Sequence, residues 1–430
     1  MKGKIILIVI AMLLLSGLKN SRQLDEIEIV QAIGVDVSDD NKYIISAQVV
    51  NIEKESDSSG SGSSSNSSDT VVFESKSDSV QEALRSFVNE SPQKLYLAHM
   101  QILLVSENAA KKELTQTLDF FLRDNEGSNN YILAVTKDST PQEILTKTSP
   151  LVESPAESIV KSIKSTYKYR GTSVDNTLSK NLSILLSDKK ELVATTISLE
   201  DTNKDKIPEF NEGKIINNSK EDTSSNEKGS LSGESKSSSN TNSESSSEGN
   251  NSVIKVGTLA CFKDNKLIGI MDEDDSLIYN ILKNKIKSAI ISSGEGNDRI
   301  VAEIISSKAE LSPKDIDGKL ELDINLKMKF NITETGGNIK FKTIDDLKKY
   351  ENVISKEVEQ MVNKYVENCN NVYKTDLVGY KDIFYKKLNK QYKKHESDFK
   401  SEEFLKSIKT NVKVEVEFPN EGGASIDGTV

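Results

Sequence analysis

The side chains best suited to acid–base, nucleophilic or metal chemistry are scarce in this chain. It has two histidines, His99 and His395, and two cysteines, Cys261 and Cys369. Histidine titrates near neutral pH, and thiolates are strong nucleophiles and metal ligands. The four residues lie far apart in the sequence, without the close cysteine and histidine spacing of a metal site. We therefore expect no catalytic centre, no metal and no cofactor.

Each of the four residues has an ordinary structural interpretation. His99 stands at the entry to an apolar run, in YLAHMQILL, where we expect a structural histidine with a satisfied hydrogen bond. His395 lies in KKHES, which predicts a solvated helix face. Cys261 and Cys369 are expected to be small buried hydrophobes, and a disulfide between them is the alternative. The sequence contains no phosphate loop, HExxH, CxxC or GxSxG motif, which disfavours the common enzyme classes.

Two charged runs are further candidates for binding. The acidic run 272–275 (DEDD) would attract Ca²⁺, but it lacks the spacing and the glycine of an EF-hand, so it better fits the start of a helix. Residues 385–394 (YKKLNKQYKK) place tyrosines among lysines, which suits anionic lipid headgroups, nucleic acid or a solvated helix face. The net charge of −11, from 56 basic and 67 acidic residues, makes nucleic acid a poor partner.

The N-terminus has the pattern of an export signal. Two lysines precede an uninterrupted apolar run from Ile5 to Leu15, shorter than the roughly 20 residues of a membrane-spanning helix. We interpret residues 1–18 as a leader and expect the rest of the chain to be exported. Leu18 follows a Ser-Gly pair at the position where a bacterial lipoprotein carries its cysteine. We therefore expect an uncleaved, unlipidated leader, or a copy altered at this codon.

Strands alternate with helices over residues 21–271, as is typical of a mixed α/β layer. Turn residues at 38–41 and at Asp264-Asn265 predict two hairpins. The apolar runs 100–107 and 131–138 have no polar face, which indicates strands covered on both sides. Helical spacing of apolar residues predicts helices over 78–91, 109–125, 139–147, 154–169 and 172–187.

Two Ser-rich tracts, 56–69 and 213–252, interrupt this N-terminal region. Their composition cannot bury a core, so we expect disordered inserts within loops, which cost little in chain entropy.

Residues 275–430 are predicted to form a second, C-terminal region. Residues 320–330 alternate strictly between apolar and polar side chains, as in a strand with one wet face, and 410–418 alternate likewise. Apolar residues recur at helical spacing within 343–368, which predicts a helix with one apolar face, and Thr343 is its candidate N-cap. We expect an antiparallel sheet with long helices on one face. The whole chain is thus predicted to be a multi-domain α+β protein with mixed and antiparallel sheets flanked by helices.

Five stretches, taken in order, resemble the spore germinant-receptor C-subunit family, the Ger(x)C lipoproteins of endospore-forming bacteria. The first is the segment after the leader, SGLKNSRQLDEIEIVQAIGVDV, which is similar to the family's start at Arg22 and Asp36. The next two, LYLAHMQILLVSENAA and LDFFLRDNE, resemble its leucine-rich strand and a following helix end. The hairpin GTLACFKDNKLIG is the fourth. The fifth, DLVGYKDIFYKKLNKQY, resembles its late signature at Asp376, Gly379 and Tyr380.

The resemblance implies a non-enzymatic subunit without a cofactor. Family members lie on the outer face of the spore inner membrane and act with integral-membrane A and B subunits to trigger germination by nutrients. It therefore implies an exported protein at a membrane surface, with those subunits and no nucleic acid as partners. Leu18 replaces the family's lipidated cysteine. The alternative hypothesis is an exported, membrane-associated protein that binds a small nutrient molecule itself.

Overall fold

The computed structural model describes residues 27–50, 70–112, 114–124, 127–147, 154–201, 252–341 and 343–419. The predicted leader with Leu18, the signature residue Arg22 and both Ser-rich tracts, apart from Ser252, lie outside these residues. The described residues up to Ser198 and those from Ile254 onward form one compact unit. The strands are β1 Ile27–Val37, β2 Tyr43–Val50, β3 Thr70–Ser77, β4 Lys94–Tyr96, β5 Ile102–Ser106, β6 Ile132–Thr136, β7 Val193–Asp201, β8 Ser252–Lys263, β9 Lys266–Ile270, β10 Ile290–Ser293, β11 Ile300–Ile316, β12 Lys319–Thr335 and β13 Lys409–Glu417.

The larger sheet has nine strands in the order β3-β2-β1-β5-β6-β7-β8-β9, with β4 pairing on β1. Strands β1, β5, β6 and β7 run parallel, because helices between β5, β6 and β7 return the chain to the same edge. The predicted hairpins are confirmed: β1–β2 and β8–β9 are antiparallel, and Asp264 and Asn265 both have the positive φ of a type I′ turn. Every residue of β5 and β6 is buried, as predicted.

Several helices begin at side-chain caps that are visible in the sequence. Thr140 and Glu143 form a capping box around Pro141, and Ser154 caps the helix that follows. The predicted helix 109–125 is two helices, because the chain is extended at Lys112. The helices are α1 Val80–Ser86, α2 Glu107–Lys111, α3 Leu114–Arg123, α4 Pro141–Leu145, α5 Pro155–Tyr169, α6 Leu178–Leu185, α7 Glu273–Leu282, α8 Ile344–Asn371, α9 Tyr380–Lys387, α10 Asn389–Lys394 and α11 Glu402–Ser407.

The smaller sheet has four strands in the order β10-β11-β12-β13. Strands β10, β11 and β12 are antiparallel, and β12 buries alternate residues as predicted. The prediction of a wholly antiparallel sheet is wrong for its last strand, since β13 pairs in parallel with β12. The cause is the crossover: α8, 28 residues and about 42 Å long, carries the chain back along the sheet before β13 begins.

Strand β8 faces two hydrophobic cores. Ala260 and Phe262 pack into the core on one face of the larger sheet, under α1 and α3. Leu259 and Cys261 point the other way, into a core that continues through α7 and α8 to the smaller sheet. Because successive side chains of β8 point to opposite faces of the larger sheet, this one strand contributes to both cores. The second core is shared with the smaller sheet and so joins the two sheets. No helix in the described part of the chain is both long enough and apolar enough to cross a membrane.

Candidate functional site

The late signature DLVGY, residues 376–380, forms the turn that starts α9. One carboxylate oxygen of Asp376 accepts hydrogen bonds from the backbone N–H groups of Gly379 and Tyr380, each at 2.8 Å. The other oxygen accepts from the N–H of Lys381, also at 2.8 Å. Asp376 is buried, so these bonds satisfy donors that water cannot reach. The carboxylate holds the first turn of α9 together and sits where the helix dipole favours negative charge.

Gly379 is required in this turn for two reasons. Its φ of +92° lies in the left-handed region that side chains disfavour, and a Cβ would stand 2.7 Å from the ammonium nitrogen of Lys283. Lys283 follows α7 and donates to the carbonyl of Val378 at 3.0 Å. Burial lowers the pKa of Lys283, and the negative charge of Asp376 opposes that shift. The turn therefore receives a cation from α7.

A second buried contact ties the same helix to the larger sheet. The ammonium of Lys381 lies 3.5 Å from a carboxylate oxygen of Glu191, which precedes β7. The two side chains are 16% and 12% exposed, so the pair is largely withdrawn from water. Burial raises the pKa of Glu191, and the charge of Lys381 opposes that shift. The negative charges of Asp376 and Asp264 also raise the pKa of Glu191.

Three further hydrogen bonds complete the junction between the sheets. The Tyr380 hydroxyl lies 2.7 Å from the hydroxyl of Thr410 on β13. Asp275, in the first turn of α7, accepts from the Tyr373 hydroxyl at 2.6 Å and from the Asn368 amide at 2.9 Å. The acidic run is therefore the start of a helix, as predicted, and its last carboxylate turns inward to the end of α8. We call this set the junction cluster: Glu191, Asp275, Lys283, Asn368, Tyr373, Asp376, Gly379, Tyr380 and Lys381.

Asp36 acts at a separate place, the end of β1. Its carboxylate accepts from the backbone N–H of Val37 at 2.7 Å and from the Ser106 hydroxyl. Ser106 in turn caps α2 by accepting from the N–H of Ala109 at 3.1 Å. The signature residues thus form two structural clusters: Asp376, Gly379 and Tyr380 come together, and Asp36 supports the β1–β5 edge.

The histidines and cysteines lie in ordinary surroundings. His99 is exposed in a 3₁₀ turn with its ring 5.8 Å from that of Tyr96, so the expectation of a structural histidine with a satisfied hydrogen bond is wrong. His395 ends α10, pairs with Asp398 at 2.9 Å and stacks on Phe404, a more covered position than the predicted solvated face. Both cysteines are free and buried, and burial raises the pKa of Cys261 to about 12. Within the described ranges, no group of three or more His, Cys, Asp or Glu side chains is arranged to hold a metal ion.

A groove of about 750 Å³ lies between α1, β4 and α3. Leu84, Val88 and Phe120 contribute apolar surface, and Arg85 and Arg123 contribute charge. Arg123 is engaged by Asp119 on the same helix, at 2.8 and 2.9 Å. The groove offers contact area and charge but no nucleophile–base pair among its described lining residues.

Sequence reasoning missed most of the junction cluster. Lys283, Glu191, Asn368 and Tyr373 carry no local motif that marks them, because their partners are distant in the sequence. The one available signal was Lys283 at the end of the largely apolar run LIYNILK.

Comparisons with known proteins define the class of this protein. Residues 20–199 match the family described as "Spore germination protein N-terminal domain". Residues 257–422 match "Spore germination B3/ GerAC like, C-terminal". Together these matches span most of the chain and define a spore germination protein. The chain belongs to the GerAC-like family of germinant-receptor C subunits.

Two relatives support that assignment over nearly the whole length. The chain is 22% identical over 414 residues to "Spore germination protein KC" of Bacillus subtilis (strain 168), covering 95% of this chain and 93% of that protein. Its fold is similar to the crystal structure of the GerBC protein, with a TM-score of 0.54 and 16% identity over 90% of this chain and 97% of that one. The predicted α+β class is confirmed.

Proposed function

We propose that this protein is the non-enzymatic C subunit of a nutrient germinant receptor, needed for germination through association with integral-membrane A and B subunits. The observation that carries the proposal is the match of both family domains, in order, along one chain. The second match begins at residue 257 and so includes the β8–β9 hairpin, which the sequence pattern places in the first region. We propose regions 21–271 and 275–430 as the functional units. The protein acts on the outer face of the spore inner membrane, exported and held there by residues 1–18.

The junction cluster supports a scaffold role. Its carboxylates accept hydrogen bonds from backbone and side-chain donors within the protein, which leaves them little capacity for substrate chemistry. A buried ion pair and a shared core connect the regions, so they present one stiff surface to a partner. Attachment to the membrane raises the effective concentration of that surface near the A and B subunits.

Deletion of the gene tests this proposal. Spores without the protein are expected to fail to germinate with specific nutrients while vegetative growth is normal, and the full-length chain restores the response. The deletion is made in a strain stripped of other germinant receptors, so that redundancy cannot hide the loss. Normal germination with every nutrient in that strain would contradict the proposal.

A small-molecule binding role is the second candidate, and the groove between α1 and α3 favours it. Its volume suits a small ligand, since ligand pockets span roughly 300–1,000 Å³. Calorimetry of the purified chain with individual germinants tests this role. Saturable binding without A or B subunits, lost in Phe120→Ala, would support it; no heat of binding with active germinants would rule it out.

A further inference from the structure

Two segments that are distant in sequence meet on one surface beside the junction cluster. The loop between α6 and β7 lies against α9 and α10, with the Lys189 ammonium 4.8 Å from the centre of the Tyr385 ring and 5.9 Å from that of Tyr392. These cation–π contacts hold the loop to the two helices. The basic stretch 385–394 therefore belongs to a surface built from two parts of the chain.

Two apolar side chains of this region are exposed. Leu186, at the end of α6, is 79% exposed, and Tyr385 is 42% exposed. A single exposed leucine is unremarkable on a protein surface, but Leu186 lies three residues before Lys189, whose ammonium group contacts the Tyr385 ring. Apolar side chains surrounded by lysines are typical of a face that sits in the headgroup region of a membrane.

Three lysines of α10 give the surface its charge. Lys390, Lys393 and Lys394 are exposed, and none of them forms an ion pair or hydrogen bond within the ranges that the structure describes. By contrast, Lys386 on the preceding helix is paired with Asp382 at 2.7 Å. The three ammonium groups are thus available to an external anion.

Acidic side chains nearby only partly offset these charges. Asp188 is paired with Lys189 at 2.5 Å, and Asp398 lies 2.9 Å from a ring nitrogen of His395, which offsets its charge only when the histidine is protonated. Glu396 is exposed beside α10. The surface is therefore locally basic on a chain whose net charge is −11. Because charges beyond a Debye length of about 8 Å are screened at physiological salt, a flat partner that meets this face senses mainly the lysines.

We propose that this face docks onto an anionic lipid bilayer, with Lys390, Lys393 and Lys394 on the headgroups and Leu186 at the acyl boundary. We call it the basic surface: Leu186, Lys189, Tyr385, Lys390, Lys393 and Lys394. The choice of a lipid occupant rests on the membrane location proposed above. Docking this face would set the orientation of the scaffold on the membrane independently of its leader.

The aromatic residues favour lipid over nucleic acid. Proteins that bind single strands present ring faces on which bases stack. Here Tyr392 is only 3% exposed and stacks on Phe399, and Lys189 lies over the ring of Tyr385. Tyr392 is therefore packed within the protein, and Lys189 lies over the ring of Tyr385, whereas the exposed leucine has no role in binding a phosphate backbone.

Vesicle co-sedimentation of the full-length chain tests the proposal. The vesicles are phosphatidylcholine alone or phosphatidylcholine with phosphatidylglycerol, and the first composition measures any binding by the apolar N-terminal run. The test variant is Lys390→Gln/Lys393→Gln/Lys394→Gln. Each lysine near an anionic surface contributes about fivefold in binding, so we expect a loss of roughly 100-fold on anionic vesicles only.

The matched control is Lys340→Gln/Lys348→Gln/Lys356→Gln, which removes the same charge from exposed lysines. Two of them lie on the first half of α8, which contacts the last residues of β13 through Glu351 and Phe418. The basic surface instead adjoins the start of β13, where Tyr380 contacts Thr410. The control is expected to bind within about twofold of the wild type, since screened distant charges contribute little.

A second variant, Leu186→Ser, separates the apolar contribution from the charge. It is expected to weaken binding to anionic vesicles at both low and high salt, whereas the loss in the triple lysine variant shrinks as salt rises.

Equal binding of the wild type and the triple lysine variant would overturn the proposal, as would equal binding to both vesicle compositions. So would a single-stranded RNA that displaces the chain from anionic vesicles. None of these results bears on germination by the deletion strain, so the receptor assignment is tested separately.

Discussion

Glu191 and Lys381 form a largely buried ion pair, 3.5 Å between the carboxylate oxygen and the ammonium nitrogen, that joins the larger sheet to the helix beginning at the DLVGY turn. The two residues are 190 positions apart in the chain. Their contact, with the Lys283 and Asp376 contacts beside it, ties together the two regions that match separate family domains.

The first prediction concerns the stability that this pair provides. Glu191→Leu alone leaves Lys381 buried without a partner and should lower the free energy of unfolding by about 3 kcal/mol. Glu191→Leu with Lys381→Met should recover most of that loss, because two apolar side chains of similar size leave no buried charge to desolvate. Urea unfolding measures both. A double variant as unstable as the single one would contradict this account.

The second prediction concerns the cap on α9. Asp376→Ala removes the acceptor of three buried N–H groups and should cost about 2–3 kcal/mol of unfolding free energy. Asp376→Asn keeps one side-chain oxygen and should cost roughly half as much. Circular dichroism during urea titration gives the values. If Asp376→Ala and Asp376→Asn both lowered the unfolding free energy only slightly and by the same amount, the carboxylate would not be the group that holds the turn.

The third prediction compares two glycines with positive φ. Gly379→Ala meets the ammonium of Lys283 at 2.7 Å, whereas Gly318→Ala, in the β11–β12 turn at φ +83°, meets nothing within 4 Å. Backbone strain alone costs about 1 kcal/mol at each site, so any excess at Gly379 comes from displacing Lys283. We expect Gly379→Ala to lower the unfolding temperature more. Equal shifts would show that the Lys283 contact does not constrain the turn.

The fourth prediction is a pH dependence that originates at Asp275. Burial raises the pKa of Asp275, while the hydrogen bonds from Tyr373 and Asn368 lower it. The nearby negative charge of Asp272 raises this pKa and the positive charge of Lys364 lowers it. The folded protein therefore binds this proton more tightly than the unfolded chain, whose aspartate pKa is about 3.9. The contribution of Asp275 to stability is greatest at low pH and falls as the pH rises through its folded pKa.

Asp275→Asn should flatten that dependence. Unfolding free energies of the wild type and the variant are measured by urea titration at several pH values between acid and neutral. Their difference should change in favour of the variant as the pH rises. A difference that stays constant with pH would show that Asp275 titrates alike in the folded and unfolded chain.

The sequence predicted the elements whose signals are local. Apolar runs identified β5 and β6, turn residues identified both hairpins, and Thr343 with the apolar stripe identified α8. Each of these signals depends on residues that lie close together in the sequence. Side-chain alternation predicted β13 as a strand but not its direction, because alternation is the same in parallel and antiparallel pairs.

The junction cluster was only partly predictable. The resemblance identified Asp376, Gly379 and Tyr380, but their partner Lys283 lies about a hundred positions away and no short pattern links the two. Burial of a lysine or a glutamate follows from how the sheets pack, which local composition does not encode. His99 was misplaced for a similar reason: the 3₁₀ turn before β5 carries it to the surface.

The central claim is association with the membrane subunits of a germinant receptor, and purification from spores tests it most directly. The full-length chain, tagged at its C-terminus, is isolated from detergent-solubilised spore inner membranes and the co-purifying proteins are quantified. We predict that integral-membrane A and B subunits co-purify in amounts comparable to the chain. Recovery of the chain from those membranes without either subunit would contradict the account.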